Sequence, residues 1–262
     1  MTHVLIETDG PVGIVTLNNP DKHNAFDDAL IGELTAAFKS LDANAAVRVV
    51  ILSSVGKSFS AGGDINWMKR IAGYSQDENL RDATALAELM RALHALSKPT
   101  IARVQGAAYG GGVGLVACCD IAVGTHNASF SLSEAKLGLI PSVISPYVIA
   151  AIGERAAHRY FLTAERFDAG EAFRLGLLHE LAPDDDAMDE KINDIVAAIL
   201  ACGPVALAEA KQLIAAVASR PIDQSVIADT AKRIARVRAS EEGKEGLSAF
   251  LEKRKARWVL EG

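Results

Sequence analysis

The stretch Val47 to Leu52 is apolar at every position but Arg48, and mostly β-branched. A strand with one wet face alternates; a strand that does not alternate is covered on both faces. Such a strand needs helices beside it, and the flanking sequence provides them. Upstream, Leu30, Ile31, Leu34, Ala37, Phe38 and Leu41 recur at helical spacing over Asp27 to Leu41, with Asp27 or Asp28 placed to cap the start. Downstream, Arg81 to Leu96 reads as a second amphipathic helix, stopped by Lys98-Pro99 before a strand over Thr100 to Val104. Gly110 to Cys119 then reads as a short apolar helix, and Ile121 to Gly124 and Ser129 to Leu132 as short strands. Ahead of all these, Val4, Ile6, Val12, Ile14 and Thr16 alternate with their neighbours about Asp9-Gly10-Pro11, which predicts a two-stranded hairpin. The chain up to about residue 140 is therefore α/β.

After Ser145 the pattern predicts helices alone: Pro146 to Ile152, Glu154 to Leu162, Asp168 to Leu175, Asp186 to Ala201, Pro204 to Ala218, Asp223 to Arg238 and Glu241 to Lys255. No Pro/Gly/Ser-rich linker intervenes, so the expectation is a core over residues 1–200 with a helical extension over 201–262. That extension has the apolar faces of a packing or subunit-contact element.

Charge and composition exclude several classes. A formal charge of −6, with Lys and Arg scattered, does not make the concentrated basic face that nucleic acid requires. The start, Met1 to Gly10, has no basic segment followed by an apolar run and does not read as a signal peptide, so the mature chain is expected to start near Met1. Val143 to Ile152 is interrupted by Pro146 and is too short for a membrane span. Three cysteines, two of them adjacent at Cys118 and Cys119, suit a reducing compartment and lack metal-ligand spacing, so no metal is expected and the location is expected to be cytoplasmic. His23, His94, His126, His158 and His179 are scattered, with no partner at metal or triad spacing.

Three segments carry chemistry. Ser60-Ala61-Gly62-Gly63-Asp64-Ile65 opens a short helix through Trp67 and Met68, where glycines admit a ligand and first-turn amides point outward; a plain β-to-α turn fits the same residues. Asp64 suits a helix cap better than an acid. Gly106 to Gly114 again runs from strand to helix through Gly110-Gly111-Gly112, without GxGxxG spacing or a P-loop Lys-Ser/Thr. Close packing between backbones would use the same glycines. Third, Glu134 stands in Phe130 to Pro141, a carboxyl among apolar residues at a strand end, where burial favours its neutral form and proton transfer; a pair with Lys136 is the alternative. Tyr109 and Tyr147 suit either an acyl pocket or the core.

Together these segments resemble the crotonase superfamily, the enoyl-CoA hydratase/isomerase family, over about residues 4–258. The resemblance implies a ββα spiral core with a helical carboxy-terminal extension, and an acyl-coenzyme A thioester as substrate. Coenzyme A arrives as part of that substrate, so no separate cofactor is implied. Ala61-Gly62-Gly63-Asp64-Ile65 and Gly110-Gly111-Gly112 match the two oxyanion motifs, which assigns the Gly63 and Gly111 amides to the thioester oxygen, an effect of roughly 3–4 kcal/mol per donor. Glu134 matches the family's second glutamate. Asn18 to Ala25, with Lys22, His23 and Ala25, is similar to the segment that wraps coenzyme A, and Phe250 and Lys253 match tail residues that reach a neighbouring subunit's coenzyme A. The implied assembly is a homotrimer or a dimer of trimers.

The chain departs from the pattern at Gly114, where the family's hydratases carry their first glutamate, and after Pro141, where Ser142-Val143-Ile144-Ser145-Pro146-Tyr147 replaces further glycines. With Phe161 to Phe167, these departures look similar to bacterial methylglutaconyl-CoA hydratases. The expectation drawn from Gly114 is an opening beside the substrate. A single glutamate also suits an enoyl-CoA isomerase, and a non-catalytic acyl-CoA-binding member is the reading from a different class.

Overall fold

The structure is a computed structural model that describes residues 2–259, so Met1 and the last three positions of the 201–262 extension lie outside the described residues. It divides into two compact units, Met1–Leu96 with Thr100–Asn193, and Ser97–Pro99 with Asp194–Gly262.

In the first unit the hairpin strands β1 (Val4–Asp9) and β2 (Val12–Leu17) pair antiparallel, Val4 opposite Leu17. Helix α1 (Asp28–Ala43) follows, its N-cap Asp27 accepting from the Leu30 amide. The chain then repeats one pattern. It lays a strand in a large sheet, a strand in a small sheet, and a helix: β3 (Val49–Ser54), β4 (Ser58–Ala61), α2 (Ile65–Ile71) and α3 (Gln76–His94); β5 (Thr100–Val104), β6 (Ala107–Tyr109) and α4 (Gly111–Cys118); β7 (Ile121–Thr125), β8 (Ser129–Ser131) and α5 (Ser145–Thr163). β9 (Arg166–Asp168), α6 (Ala169–Leu175) and β10 (Glu180–Ala182) complete the sheets. The large sheet runs β1-β2-β3-β5-β7-β10, parallel from β2 onward, and the small one runs β4-β6-β8-β9 with β9 antiparallel. This is an α/β fold in the ββα spiral arrangement.

The core is aliphatic and aromatic: Leu52, Ile101 and Ala102 from the large sheet, Phe59 and Phe130 from the small one, and Phe38, Leu89 and Met90 from the helices are all fully buried. Burial on both faces explains why Val47 to Leu52 does not alternate.

Several expectations need correction. The region after Ser145 is not helical alone, because β9 and β10 each add three residues to a sheet edge. Strands that short exist through their partners, Ser129–Ser131 and Val123–Thr125, rather than through any pattern of their own. The two helices expected about Gly153 are one run, broken at that glycine by φ 76°. Helix α3 begins five residues before Arg81, on a capping box formed by Ser75 and Glu78. The compact units divide within the helix Asp185–Leu200 (α7), whose start is held to β5 by the Arg103–Asp189 ion pair, 2.6 Å.

The second unit consists of the end of α7, α8 (Pro204–Val217), α9 (Gln224–Ala239) and α10 (Glu241–Leu251). Its polar centre is Glu245, which accepts from Arg254 at 2.7 and 3.0 Å; Arg254 holds that carboxyl down at about 2. Ile214, Ile227, Ile234, Phe250 and Leu251 are exposed, and α8 buries no residue fully. Among the described residues no single helix is long and apolar enough to cross a membrane.

Candidate active site

The first unit holds a cavity of about 350 Å³ where the two glycine turns and the Glu134 segment meet; Gly62, Gly63, Gly110, Gly111, Glu134 and Pro141 all line it. The rest of its wall is largely apolar, from Phe26, Trp67, Met68, Ile71, Leu86, Leu137, Leu139, Ile140, Val143 and Ile144.

The first turn is fixed by hydrogen bonds to Phe26. Phe26 donates to Gly62 O at 2.9 Å and accepts from Asp64 N at 2.7 Å. In this parallel bridge Phe26 uses the groups on either side of Gly63, so the Gly63 N–H points the other way, and no hydrogen bond within the chain takes it among the described residues. Gly62 sits at φ +85°, a conformation that disfavours any side chain. Asp64 caps α2, as the sequence suggests: it accepts from Asn66 N at 2.9 Å and Trp67 N at 3.1 Å, and from Lys22 Nζ at 2.8 Å. The Lys22 contact and then these amides hold the Asp64 carboxyl below its ordinary range.

The second turn uses no polar side chain. Gly110 stands at φ 53°, ψ −118°, and Gly111 is the first residue of α4, so its amide has no intrahelical acceptor. A methyl group at Gly111 would lie 2.9 Å from Phe26 Cε2, and one at Gly112 would run into the carbonyl oxygen of Ser60. Phe26 thus touches both turns.

Glu134 lies in a short 3₁₀ segment, Ser133–Leu137, after β8. Its carboxyl rests over Gly110, where an added methyl would meet Oε1 at 3.1 Å. Oε2 is buried without a hydrogen-bond partner, and no ion pair joins Glu134 to Lys136 among the described residues. Burial pushes this carboxyl above its ordinary 4.5, against a smaller opposing pull from its own backbone amide. Such a group is poised to accept and return a proton beside the two amides.

Other expected residues fall elsewhere. Gly114 is buried and does not line the cavity: a methyl there would run into Ile144 Cγ2 and stand 2.9 Å from Ile144 Cβ and 3.2 Å from Met90 Cε. The expected opening is filled by Ile144. Tyr109 is also outside the cavity wall, bonded to Ser129 Oγ at 3.1 Å beneath the Arg166 guanidinium, 5.0 Å from the ring centre. Ala61 and exposed Ile65 support the turn without lining the cavity. Lys22, His23 and Ala25 lie on the loop before Phe26. Buried Asn24 stitches that loop to the β3–β4 connection through Val55 O and Ser58 O, while His23 meets Ser58 Oγ at 3.1 Å. Phe250, 80% exposed, and Lys253 belong to the second unit.

Sequence reasoning missed one wall altogether. Asn79, Asp82, Ala83 and Leu86 line the cavity at i, i+3, i+4 and i+7 of α3. Asp82, Ala83 and Leu86 were inside the expected helix, and the signal for Asn79 was Ser75-x-x-Glu78, which starts the helix early enough to include it.

Comparison with known proteins agrees with this geometry. The crystal structure of an enoyl-CoA hydratase from Shewanella pealeana is 46% identical at a TM-score of 0.95, covering 98% of this chain and 96% of that one. A crotonyl-CoA hydratase from Syntrophomonas wolfei is 30% identical over 98% of both chains, and a short-chain-enoyl-CoA hydratase from Clostridium acetobutylicum 31% over 97% of both. The family described as enoyl-CoA hydratase/isomerase matches residues 7–260. With the turns, the carboxyl and the spiral in place, the chain belongs to the enoyl-CoA hydratase/isomerase family.

Proposed function

We propose that this protein hydrates a short or branched 2-enoyl-CoA, with 3-methylglutaconyl-CoA, giving 3-hydroxy-3-methylglutaryl-CoA, as its substrate. The observation that carries the reading is Glu134 Oε2, buried and unpartnered on the cavity shared with the Gly63 and Gly111 amides. In this reading the thioester oxygen accepts from both amides, which lowers the energy of the enolate formed when water oxygen bonds to C3. Glu134 manages the proton delivered to C2. One proton of the attacking water leaves to a base: Glu134 itself, which then passes it to C2, or the substrate's own distal carboxylate, with Glu134 starting protonated, giving its proton to C2 and regaining one from solvent.

That second option rests on the apolar wall rather than on space at Gly114, which Ile144 fills. With Ile144 packed on it, the wall where the family's hydratases carry a first glutamate is aliphatic. No Lys or Arg lines the cavity among the described residues, so a substrate carboxylate there stays unneutralised and basic. The methylglutaconyl choice is supported by the sequence similarity at Ser142 to Tyr147 and Phe161 to Phe167. Lys22, His23 and Ala25 would hold coenzyme A, with Phe250 and Lys253 supplied by a neighbouring copy of a homotrimer or dimer of trimers.

Isomerisation is the second reading, favoured by the single acid/base carboxyl beside the glycine amides, since moving a double bond needs one base acting twice. Assays with 3-methylglutaconyl-CoA, crotonyl-CoA and a 3-enoyl-CoA separate the two, because only an isomerase converts the last without consuming water. Glu134→Gln is expected to lower kcat at least about 10²-fold with little change in KM. Near-normal turnover by that variant removes Glu134 from the mechanism.

A further inference from the structure

The indole of Trp67 is the surface on which the Gly63 turn rests. Trp67 is buried, lines the cavity, and presents its six-membered ring to Gly63: a methyl there would lie 3.2 Å from Cζ3 and 3.3 Å from Cε3. Its Nε1–H donates to Asp82 Oδ1 at 3.1 Å. Asp82 is half-buried on the cavity face of α3, whose later turns are locked into the core by fully buried Leu89, Met90 and Leu93. Helix α2, by contrast, has only seven residues and buries Trp67 alone. Beyond the Phe26 bridge and the Asp64 cap, the packing of this short helix beneath Gly63 depends on that one ring.

We infer that Asp82 is a positioning residue: by gripping the Trp67 indole from the rigid helix α3, it keeps the ring under Gly63 and the Gly63 amide aimed at the thioester oxygen. This deepens the proposed enolate chemistry and rests on it. The carboxylate suits the task because a charged acceptor makes the stronger bond to the indole N–H. The supporting residues of a donor decide whether it stays within the narrow tolerance that transition-state stabilisation requires.

The test follows α-proton exchange of butyryl-CoA in D₂O, which reads enolate formation without requiring hydration, beside kcat and KM on crotonyl-CoA. Asp82→Leu is expected to slow exchange and kcat roughly 10- to 100-fold while KM changes less than about threefold, as for a misplaced rather than a missing donor. Asp82→Asn, whose amide oxygen still accepts from Nε1–H, is expected to stay within about threefold of wild type. The Trp67 indole N–H resonance should move upfield in Asp82→Leu and hold its position in Asp82→Asn. If Asp82→Leu does not fold, Asp82→Ala removes the same acceptor with a smaller side chain and should show the same loss. Wild-type exchange rates in Asp82→Leu, or equal damage from both Asp82 variants, overturn the positioning role alone. A wild-type protein that exchanges no α-proton overturns the enolate chemistry, and this inference with it.

Discussion

The two glycine turns present the same kind of backbone amide to the same cavity, yet they are built by opposite means. The turn at Gly63 is held by the Phe26 backbone bridge and by polar side chains: Asp64 caps α2 and binds Lys22, and Trp67 bonds to Asp82. The turn at Gly111 is held by their absence, with Gly111 against the Phe26 ring, Gly112 against the Ser60 carbonyl and Gly114 against Ile144. The first can be tuned residue by residue, and it responds to charge. The second admits almost no added atom, and charge does not enter.

The largest effect should come from the second turn. Gly114→Glu is expected to destabilise the fold by more than about 4 kcal/mol and to lower activity on every acyl-CoA, because the side chain meets Ile144 and Met90 rather than an opening. Gly114→Glu with Ile144→Ala should recover most of that stability in denaturant titrations; recovery of crotonyl-CoA hydration beyond wild type would show that a second carboxyl works here. If the single variant is as stable as wild type, the interlock is not rigid and the contrast between the turns fails.

Gly112→Ala and Gly63→Ala make a matched pair. The first drives a methyl into a backbone carbonyl and should cost about 1–3 kcal/mol or more, whereas the second meets the Trp67 ring and Met68 at 3.2–3.3 Å, a milder overlap, and should cost less than about 1 kcal/mol. Equal losses in chemical denaturation would erase the distinction.

At the first turn, Asp64→Ala should cost about 1 kcal/mol through the lost cap, and Asp64→Asn only a fraction of it. The Asp64 carboxyl is held below its ordinary 3.8, so its stabilisation is present above that pH and is lost as pH falls through the lowered native value. The Asn variant should lack this acid-side loss, which a thermal series from neutral pH downward would show. The smallest effect has the opposite sign. Glu134 is held above its ordinary 4.5, so the native state binds the extra proton and stability declines as pH rises from there through the raised native value. Glu134→Gln should therefore melt slightly higher than wild type at pH above the native value, and the gap should close below the ordinary one.

The elements that carry the spiral were legible because their patterns are local. The helix of Asp27 to Leu41 has six apolar positions on one face and its own cap, and all six are buried. The turns and Glu134 were each ambiguous alone and were found because together they resemble the motifs of one family, and the structure brings all three to one cavity. What escaped was set by partners distant in sequence. β9 and β10 are three residues each, and nothing within such a length distinguishes a strand from the end of a helix. Gly114 was read as space because a missing side chain looks the same in sequence whether solvent or Ile144 takes its place. Asp82 lay inside the helix expected from Arg81, and it was missed because nothing in the sequence says which face of that helix meets the cavity.

The packing of Ile144 on Gly114 also bears on which sequences this chain can reach by single changes. Placing a glutamate at 114 first is blocked by the isoleucine; shrinking residue 144 first leaves a buried hole beside Met90, which is itself destabilising. Both one-step intermediates fold less stably than the present chain, so a glutamate at 114 lies across a valley rather than down a slope. Under the proposed function, drift is therefore expected to explore the acyl group through the α3 face, where Asn79 and Ala83 can change singly, and to leave the proposed proton chemistry of Glu134 where it is.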